Sequence, residues 1–314
     1  MLRPALLICA ALGPLLPGAW GARHSPHAVL SVRGPEGWRE WWRAERAPVR
    51  WDGPLPALAG AVEWRDVGPG VRWGELLLSG EGEAWRVRAI LVELEPSRVR
   101  IEMRMAQRRD GGPLRWTVDS APPEALVALN AGQFTSSGPW GWLVRAGEET
   151  RPPGSGPLAP ALVVDTAGVA RLVPADSVPA WRGDRTVREA FQSYPALLAG
   201  DGEIPRPLRE PGLGVDLDHR DARLALGLDR GGRLLIAITR FEGLGGALSN
   251  LPFGLTTPEM AAVMGALGCR RAMLLDGGIS SQLRLRLPDG ETRVWRGIRR
   301  VPLGLVVLPG GTDG

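Results

Sequence analysis

From about Val71 onward, apolar and polar positions alternate along most of the chain. Val99, Ile101, Met103 and Met105 alternate with Arg98, Arg100, Glu102 and Arg104, which predicts a strand with one buried face. Ala161–Asp165 and Val169–Val173 flank a glycine-containing turn. Leu224–Leu228 and Arg233–Thr239 flank Asp229-Arg230-Gly231-Gly232, so both pairs predict hairpins. Leu283, Leu285 and Leu287 alternate with Arg284 and Arg286 before the turn residues Pro288-Asp289-Gly290. One helix is well signalled. Thr256 and Glu259 have capping-box spacing, Pro258 suits a first turn, and Met260, Val263, Met264 and Leu267 form the buried stripe, with Gly268 as C-terminal cap. It feeds an apolar strand, Ala272–Leu275. Trp38, Trp41 and Trp42 fall at i, i+3 and i+4 and predict one face of a short helix, as packing or as a sugar-stacking platform. Many strands, several hairpins and few helices predict an α+β fold around a mixed, largely antiparallel sheet.

Composition narrows the chemistry more than the fold. The 314 residues carry 38 basic and 34 acidic side chains, for a net charge of +4. Every basic residue is Arg, and Asn occurs only at Asn130 and Asn250, a bias expected of a GC-rich genome. No dense basic run exists, so nucleic acid is not an expected partner. The absence of Lys excludes Schiff-base chemistry and a Walker-type phosphate loop. Only His24, His27 and His219 are present, which argues against a His-rich zinc site, and no G-x-S-x-G elbow supports a Ser-His-Asp triad. Carboxylates, Arg and backbone remain, with no metal or cofactor called for.

Residues 1–21 read as a secretory signal, with Arg3, an apolar stretch from Ala5 to Leu16, and a small-x-small site at Ala19-Trp20-Gly21. The alternative, an uncleaved anchor, has a short apolar stretch broken by Pro14 and Pro17. The expected product is an exported, periplasmic or secreted protein with Cys269 as its one cysteine and no further membrane span. Residues 22–120 hold a Trp- and Pro-rich segment and the first strands.

Two apolar strands end abruptly in small polar residues. One is Leu126–Leu129, before Asn130-Ala131-Gly132-Gln133-Phe134; the other is Met273–Leu275, before Asp276-Gly277-Gly278-Ile279-Ser280-Ser281. Such an ending puts its first polar residue at a sheet rim, and paired glycines let backbone approach a ligand or form an anion-binding nest. An ordinary turn is the competing reading. In His219-Arg220-Asp221-Ala222-Arg223, Arg223 either meets a phosphate or carboxylate or is a rim arginine beside Asp221. Asp216, Asp218 and Asp221 lack the Gly and Glu of an EF-hand loop and read as a solvated turn. Gln192-Ser193-Tyr194-Pro195 holds the only tyrosine, a core aromatic or a site residue.

In this order the segments resemble the phosphodiester glycosidase family, which includes a lysosomal enzyme and many exopolysaccharide-linked exported bacterial proteins. Asn130–Phe134 is similar to its Asn-Gly-Gly-Phe-like turn, Gln192–Pro195 to its Gln-Ser-x-Pro-like segment, Arg223–Gly227 to its Arg-Thr-Ala-Ile-Gly-like strand, and Leu275–Ser281 to its Leu-Asp-Gly-Gly-Gly-Ser-like loop. The resemblance spans roughly Val127 to Val307, within an expected domain at 121–310. The sequence departs at Ala131, Gln133, Leu224 and Ile279, and Thr239-Arg240-Phe241 stands where an Asp-Gly-Arg often follows the middle strand. The resemblance implies hydrolysis of a sugar-1-phosphodiester of N-acetylhexosamine-1-phosphate type. In that mechanism Asp276 is base or electrostatic stabiliser, and Arg223 holds the phosphate with Gly277, Gly278 and Ser280. Asn130 and Gln192 orient sugar hydroxyls or the acetamido group, Gly132, Ser193 and Ser281 are further substrate-binding residues, and Glu242 is a possible second carboxylate. The alternative is an exported glycan-binding protein, its partner a cell-surface glycan, on the same scaffold without catalysis.

Overall fold

The structure, a computed structural model, describes residues 28–106, 116–243, 251 and 253–310. The signal-like segment and Cys9 lie outside them. Both predicted hairpins form: Ala161–Asp165 pairs with Ala170–Val173, and Leu224–Leu228 with Leu234–Phe241. Val99–Met105 is a strand whose alternate residues Val99, Ile101 and Met103 are buried.

A large sheet runs in the order Ala196–Leu198, Arg271–Leu274, Leu224–Leu228, Leu234–Phe241, Val87–Leu94, Val71–Ser79, Val29–Gly34, Gly37–Arg43, with Arg65–Gly68 also on Val71–Ser79. A second sheet orders Thr292–Trp295, Leu283–Arg286, Val127–Asn130, Leu303–Pro309 and Val99–Met105. A third orders Glu148–Arg151, Leu143–Arg145, Val187–Gln192, Ala161–Asp165 and Ala170–Val173. Strands from before residue 121 are therefore neighbours of strands from after it: Val87–Leu94 pairs along its length with Leu234–Phe241, and Val99–Met105 with Leu303–Pro309. Among the described residues all of these pairings are antiparallel.

The main core lies between these sheets. Leu224, Leu226, Ile236 and Ile238 of the large sheet meet Val127, Leu129, Leu283 and Leu305 of the second and Leu162 and Phe191 of the third. Each such side chain, fully buried, contributes about 1.5–3 kcal/mol. Strand alternation turns Ala225, Leu235, Ala237 and Leu274 to the opposite face, where the helix Thr257–Ala266 covers them with Met260, Val263 and Met264. The capping box predicted at Thr256 and Glu259 is complete, and Gly268 takes a φ of 95° just past the helix.

Two expectations change. The fold is predominantly β, with one helix longer than four residues among those described, so α+β is right only loosely. The Trp38-Trp41-Trp42 segment is a strand, Gly37–Arg43, paired with Val29–Gly34 through a tight turn in which Gly37 has a φ of 109°. Helical spacing of three aromatics is also compatible with a strand, where Trp suits the pleated surface. Here the preceding strand and its turn decide: Trp42 is buried and Trp38 exposed.

Candidate active site

Strand ends from two facing sheets converge on the segment Asp276–Gln282. Leu275 N–H still donates to Leu224 O in the large sheet, at 2.8 Å. The next amide, Asp276 N–H, donates to Ala131 O at the end of the facing sheet, at 3.2 Å. The chain thus crosses between sheets at Asp276. Asn130 clips both ends of the crossing, its Nδ2 donating to Asp276 O at 2.7 Å and its Oδ1 accepting from Gln282 N–H at 2.9 Å.

The two glycines that follow are dictated by closeness. A Cβ on Gly277 would lie 2.8 Å from Ala222 O; one on Gly278 would lie 2.7 Å from Asp221 Oδ2, and Gly278 has a φ of 58°. Its N–H donates to Ala222 O at 2.7 Å. The turn is therefore pressed onto the start of the strand Leu224–Leu228, with the Asp221 carboxylate against it. Asp276, Gly277 and Gly278 remain partly exposed and Ile279 is exposed.

Burial is the main influence on the Asp276 carboxyl and pushes its pKa up to about 6. A hydrogen bond with Ser280 and the Arg299 charge oppose the rise, while Asp221 adds to it. Asp276 Oδ2 is buried with no hydrogen-bond partner. Burial also raises the Asp221 pKa against the opposing charge of Arg223 and a hydrogen bond from Ala222 N–H at 2.8 Å. His219 Nε2 lies 3.6 Å from Asp221 Oδ2. Two carboxylates whose pKa burial raises thus flank one glycine turn, a feature that acid–base sites often share. Arg299 reaches the turn from the far end of the chain: its guanidinium lies over the Phe134 ring, and Arg299 N–H and Ile298 N–H both donate to Ile279 O.

The predicted site residues divide into a face and a frame. Asp276, Gly277, Gly278 and Arg223 are partly exposed at the turn. Arg223 Nε donates to Leu255 O at 2.8 Å and its Nη2 to His219 O, so two of its five N–H donors are engaged by backbone. Burial lowers its pKa. Asn130, Gln192, Ser193, Ser280 and Ser281 are buried. Gln192 Oε1 accepts from Trp142 N–H at 3.1 Å and Gly154 N–H at 2.8 Å, while its Nε2 donates to Ala159 O at 2.8 Å and Gly154 O at 3.2 Å. The Ser193 hydroxyl lies against Gln133 Oε1 and Leu274 O, and a Cβ on Gly132 would lie 2.6 Å from Gln192 O. The polar atoms of Asn130 and Gln192, expected to orient the sugar, are engaged by backbone in this structure, and Ser193 Oγ meets Leu274 O and Gln133 Oε1. Tyr194, the lone tyrosine, donates its hydroxyl to Gly214 O at 3.1 Å.

Glu242 is bound to Arg88 at 2.7 and 2.9 Å, which lowers its pKa; the carboxylate that accompanies Asp276 is Asp221. Asp221 belongs to the segment read as a solvated acidic turn, where Asp216 Oδ1 does accept from Asp218 N–H and His219 N–H. Only its position just before Arg223 in the sequence points toward the site. Arg299 carries no signal in the sequence. Behind the turn, Arg220 pairs with Glu259 at 2.6 Å, fastening the segment 219–223 to the helix cap. Among the described residues no group of three or more His, Cys, Asp or Glu is placed to hold a metal ion.

The phosphodiester glycosidase family model matches residues 123–308. The chain belongs to the phosphodiester glycosidase family. Its fold is similar to the catalytic domain of zebrafish N-acetylglucosamine-1-phosphodiester alpha-N-acetylglucosaminidase, auto-inhibited by its pro-peptide, at 18% identity and a TM-score of 0.57 over 79% of this chain and 88% of that one. It is also similar to a putative exported protein from Burkholderia pseudomallei, at 13% identity and a TM-score of 0.54 over 83% and 100% of the two chains. A hypothetical protein from Synechocystis shares the fold at 15% identity and a TM-score of 0.50, over 90% and 68%. No curated protein matches the chain in sequence. These structural likenesses establish the fold, and family membership implies a hydrolase.

Proposed function

We propose that this chain hydrolyses a sugar-1-phosphodiester, of N-acetylhexosamine-1-phosphate type, at the turn Asp276–Ser281. The observation that carries the reading is the Asp276 carboxylate, partly exposed at the meeting of two sheets, one oxygen unpartnered and its pKa raised to about 6. Such a group is ionised at neutral pH yet accepts a proton readily, the property of a general base. In the proposed reaction the C1–O bond to phosphate breaks and its electron pair leaves on the phosphate oxygen. Water adds at C1 and passes its proton to Asp276, whose charge also stabilises the oxocarbenium-like centre. A phosphodiester leaves without strong acid help, so no second proton donor is assigned. Asp221 tunes the base: its negative charge raises the affinity of Asp276 for the proton. Gly278 N–H is held by Ala222 O, so the Gly277 N–H is the turn amide assigned to the leaving phosphate, and Arg223 supplies positive charge at the rim.

The chain is also read as exported, with residues 1–21 as the signal; the mass of the mature N-terminus tests that. The test of the reaction is to incubate purified protein with a panel of sugar-1-phosphodiesters, including nucleotide sugars, and measure released reducing sugar. Release by the parent and its loss in Asp276→Asn is expected. Absence of release by folded protein that binds glycans would replace the hydrolase with the binding-protein reading.

A further inference from the structure

Arg240 is buried, 4% exposed, on the strand Leu234–Phe241. Strand alternation explains where it points. Leu224 pairs with Ile238, and both side chains enter the core between the sheets; two residues further along, Arg240 lies on that same face, beside the end that carries Ala222. Ala222 O is the acceptor for Gly278 N–H, so this position adjoins the glycine turn. The guanidinium's contacts agree with that placement: its Nη2 donates to Ser281 O at 2.5 Å, and its Nη1 reaches Thr239 O at 3.5 Å.

What it lacks is a counter-charge. Arg88, Arg220 and Arg233 each hold a carboxylate, but among the described residues none pairs with Arg240. Its Nε is buried without a partner, and so are Ser281 Oγ and Asp276 Oδ2 on the segment it touches. A guanidinium has five N–H donors, and two are accounted for here. Burying a lone cation is expensive, and an anion of matching geometry removes the penalty. Burial alone already lowers its pKa to about 10, which still leaves it charged at neutral pH.

We propose that Arg240, rather than Arg223, is the principal cation for the substrate's phosphate, with Ser281 Oγ and the Gly277 N–H completing an anion site. This rests on the reading of the turn as the active site but does not depend on turnover. Each guanidinium has two of its five N–H groups on carbonyls, but Arg223 has the Asp221 charge beside it, while Arg240 has no such charge among the described residues and keeps its buried Nε unpartnered.

Inorganic phosphate is the probe. Titration calorimetry of the full chain should show binding that weakens about 10-fold or more in Arg240→Met and less in Arg240→Lys, with folding checked by circular dichroism. A crystal of the parent soaked in phosphate should place an oxygen within hydrogen-bond distance of Arg240 Nε, a result that does not depend on any variant folding. Phosphate affinity in folded Arg240→Met within twofold of the parent, no phosphate binding by the parent, phosphate bound elsewhere, or an adventitious ion only would each overturn the proposal. Phosphate bound at Arg240 with no sugar released from any phosphodiester would keep the anion site and remove the hydrolase; sugar release without phosphate binding would do the reverse.

Discussion

Replacing Asp276 by Asn should change stability in a way that depends on pH, with a sign fixed by burial. The carboxyl pKa is raised from its ordinary 3.8 to about 6 in the folded protein. The folded state therefore binds this proton more tightly than the unfolded chain, and stability falls as pH rises across that interval. At 1.36 kcal/mol per pH unit, the span amounts to about 3 kcal/mol, a sizeable part of the roughly 5–15 kcal/mol that holds a typical domain together. Asn does not titrate, so Asp276→Asn lacks this penalty. Its new amide replaces an oxygen that has no partner, which costs about 1–3 kcal/mol at every pH. That constant offset makes the absolute stability of the variant a poor test and the change with pH a good one. Urea unfolding of parent and variant at pH 3.5 and pH 7.5 should show their stability difference moving by about 3 kcal/mol in favour of Asn at the higher pH. A difference that stays constant would mean that Asp276 is not desolvated. Movement in the opposite direction would mean that Arg299 and Ser280 outweigh burial, and the base proposed here would lose its raised pKa. The same carboxylate must be ionised to act as base, so kcat/KM of the parent should rise with pH through about 6.

The neighbouring groups give further tests. Asp221→Asn removes a negative charge that raises the Asp276 pKa, so the acid limb of the kcat/KM profile should move to lower pH; movement upward would contradict the coupling. Glu259→Ala strips a buried partner from Arg220 and breaks the helix capping box, and should destabilise by about 3–5 kcal/mol in urea unfolding. Gln192→Leu leaves Trp142 N–H and Gly154 N–H without their shared acceptor and should lower the melting temperature, by about 1–3 kcal/mol of stability for each orphaned donor. If Gln192 touched the sugar instead of the frame, KM would rise with little loss of stability. Gly278→Ala puts a Cβ into the Asp221 carboxylate at a positive φ, and should cost about 1–3 kcal/mol and abolish sugar release.

Legibility in the sequence follows the range of the interaction. The hairpin Leu224–Leu228 with Leu234–Phe241, the strand Val99–Met105 and the capped helix Thr257–Ala266 are written in spacings of a few residues, and all three are readable. The Trp38–Trp42 segment misleads because three aromatics fit both periods, and the turn at Gly37 that decides between them lies outside the stripe. The site shows the same limit more sharply. Its motifs mark segments that do converge: Asn130–Phe134, Gln192–Pro195, Arg223–Gly227 and Leu275–Ser281 meet through Asp276 N–H on Ala131 O, Ser193 on Leu274 O, and Gly278 N–H on Ala222 O. A motif does not say which of its polar atoms face outward. Asn130 and Gln192 carry the right chemistry for a sugar, yet their amides are closed by backbone from segments 33 to 152 residues away.

Asp221 and Arg240 show the converse, residues whose importance no local pattern announces. Asp221 reads as part of a solvated acidic turn, and it becomes a site residue only because Gly278 brings a backbone with no side chain against its carboxylate. Arg240 reads as a departure from a family pattern. Its meaning comes from what surrounds it: a face shared with Leu224 and Ile238, a loop carbonyl at Ser281, and no carboxylate among the described residues. Burying a cation that no carboxylate neutralises is costly, and an anion bound beside the turn would remove that cost. The frame residues make that arrangement durable. Asn130 clips both ends of the Asp276–Gln282 segment and Ser193 holds Leu274 just before it, which fixes where the segment's orphaned polar atoms stand.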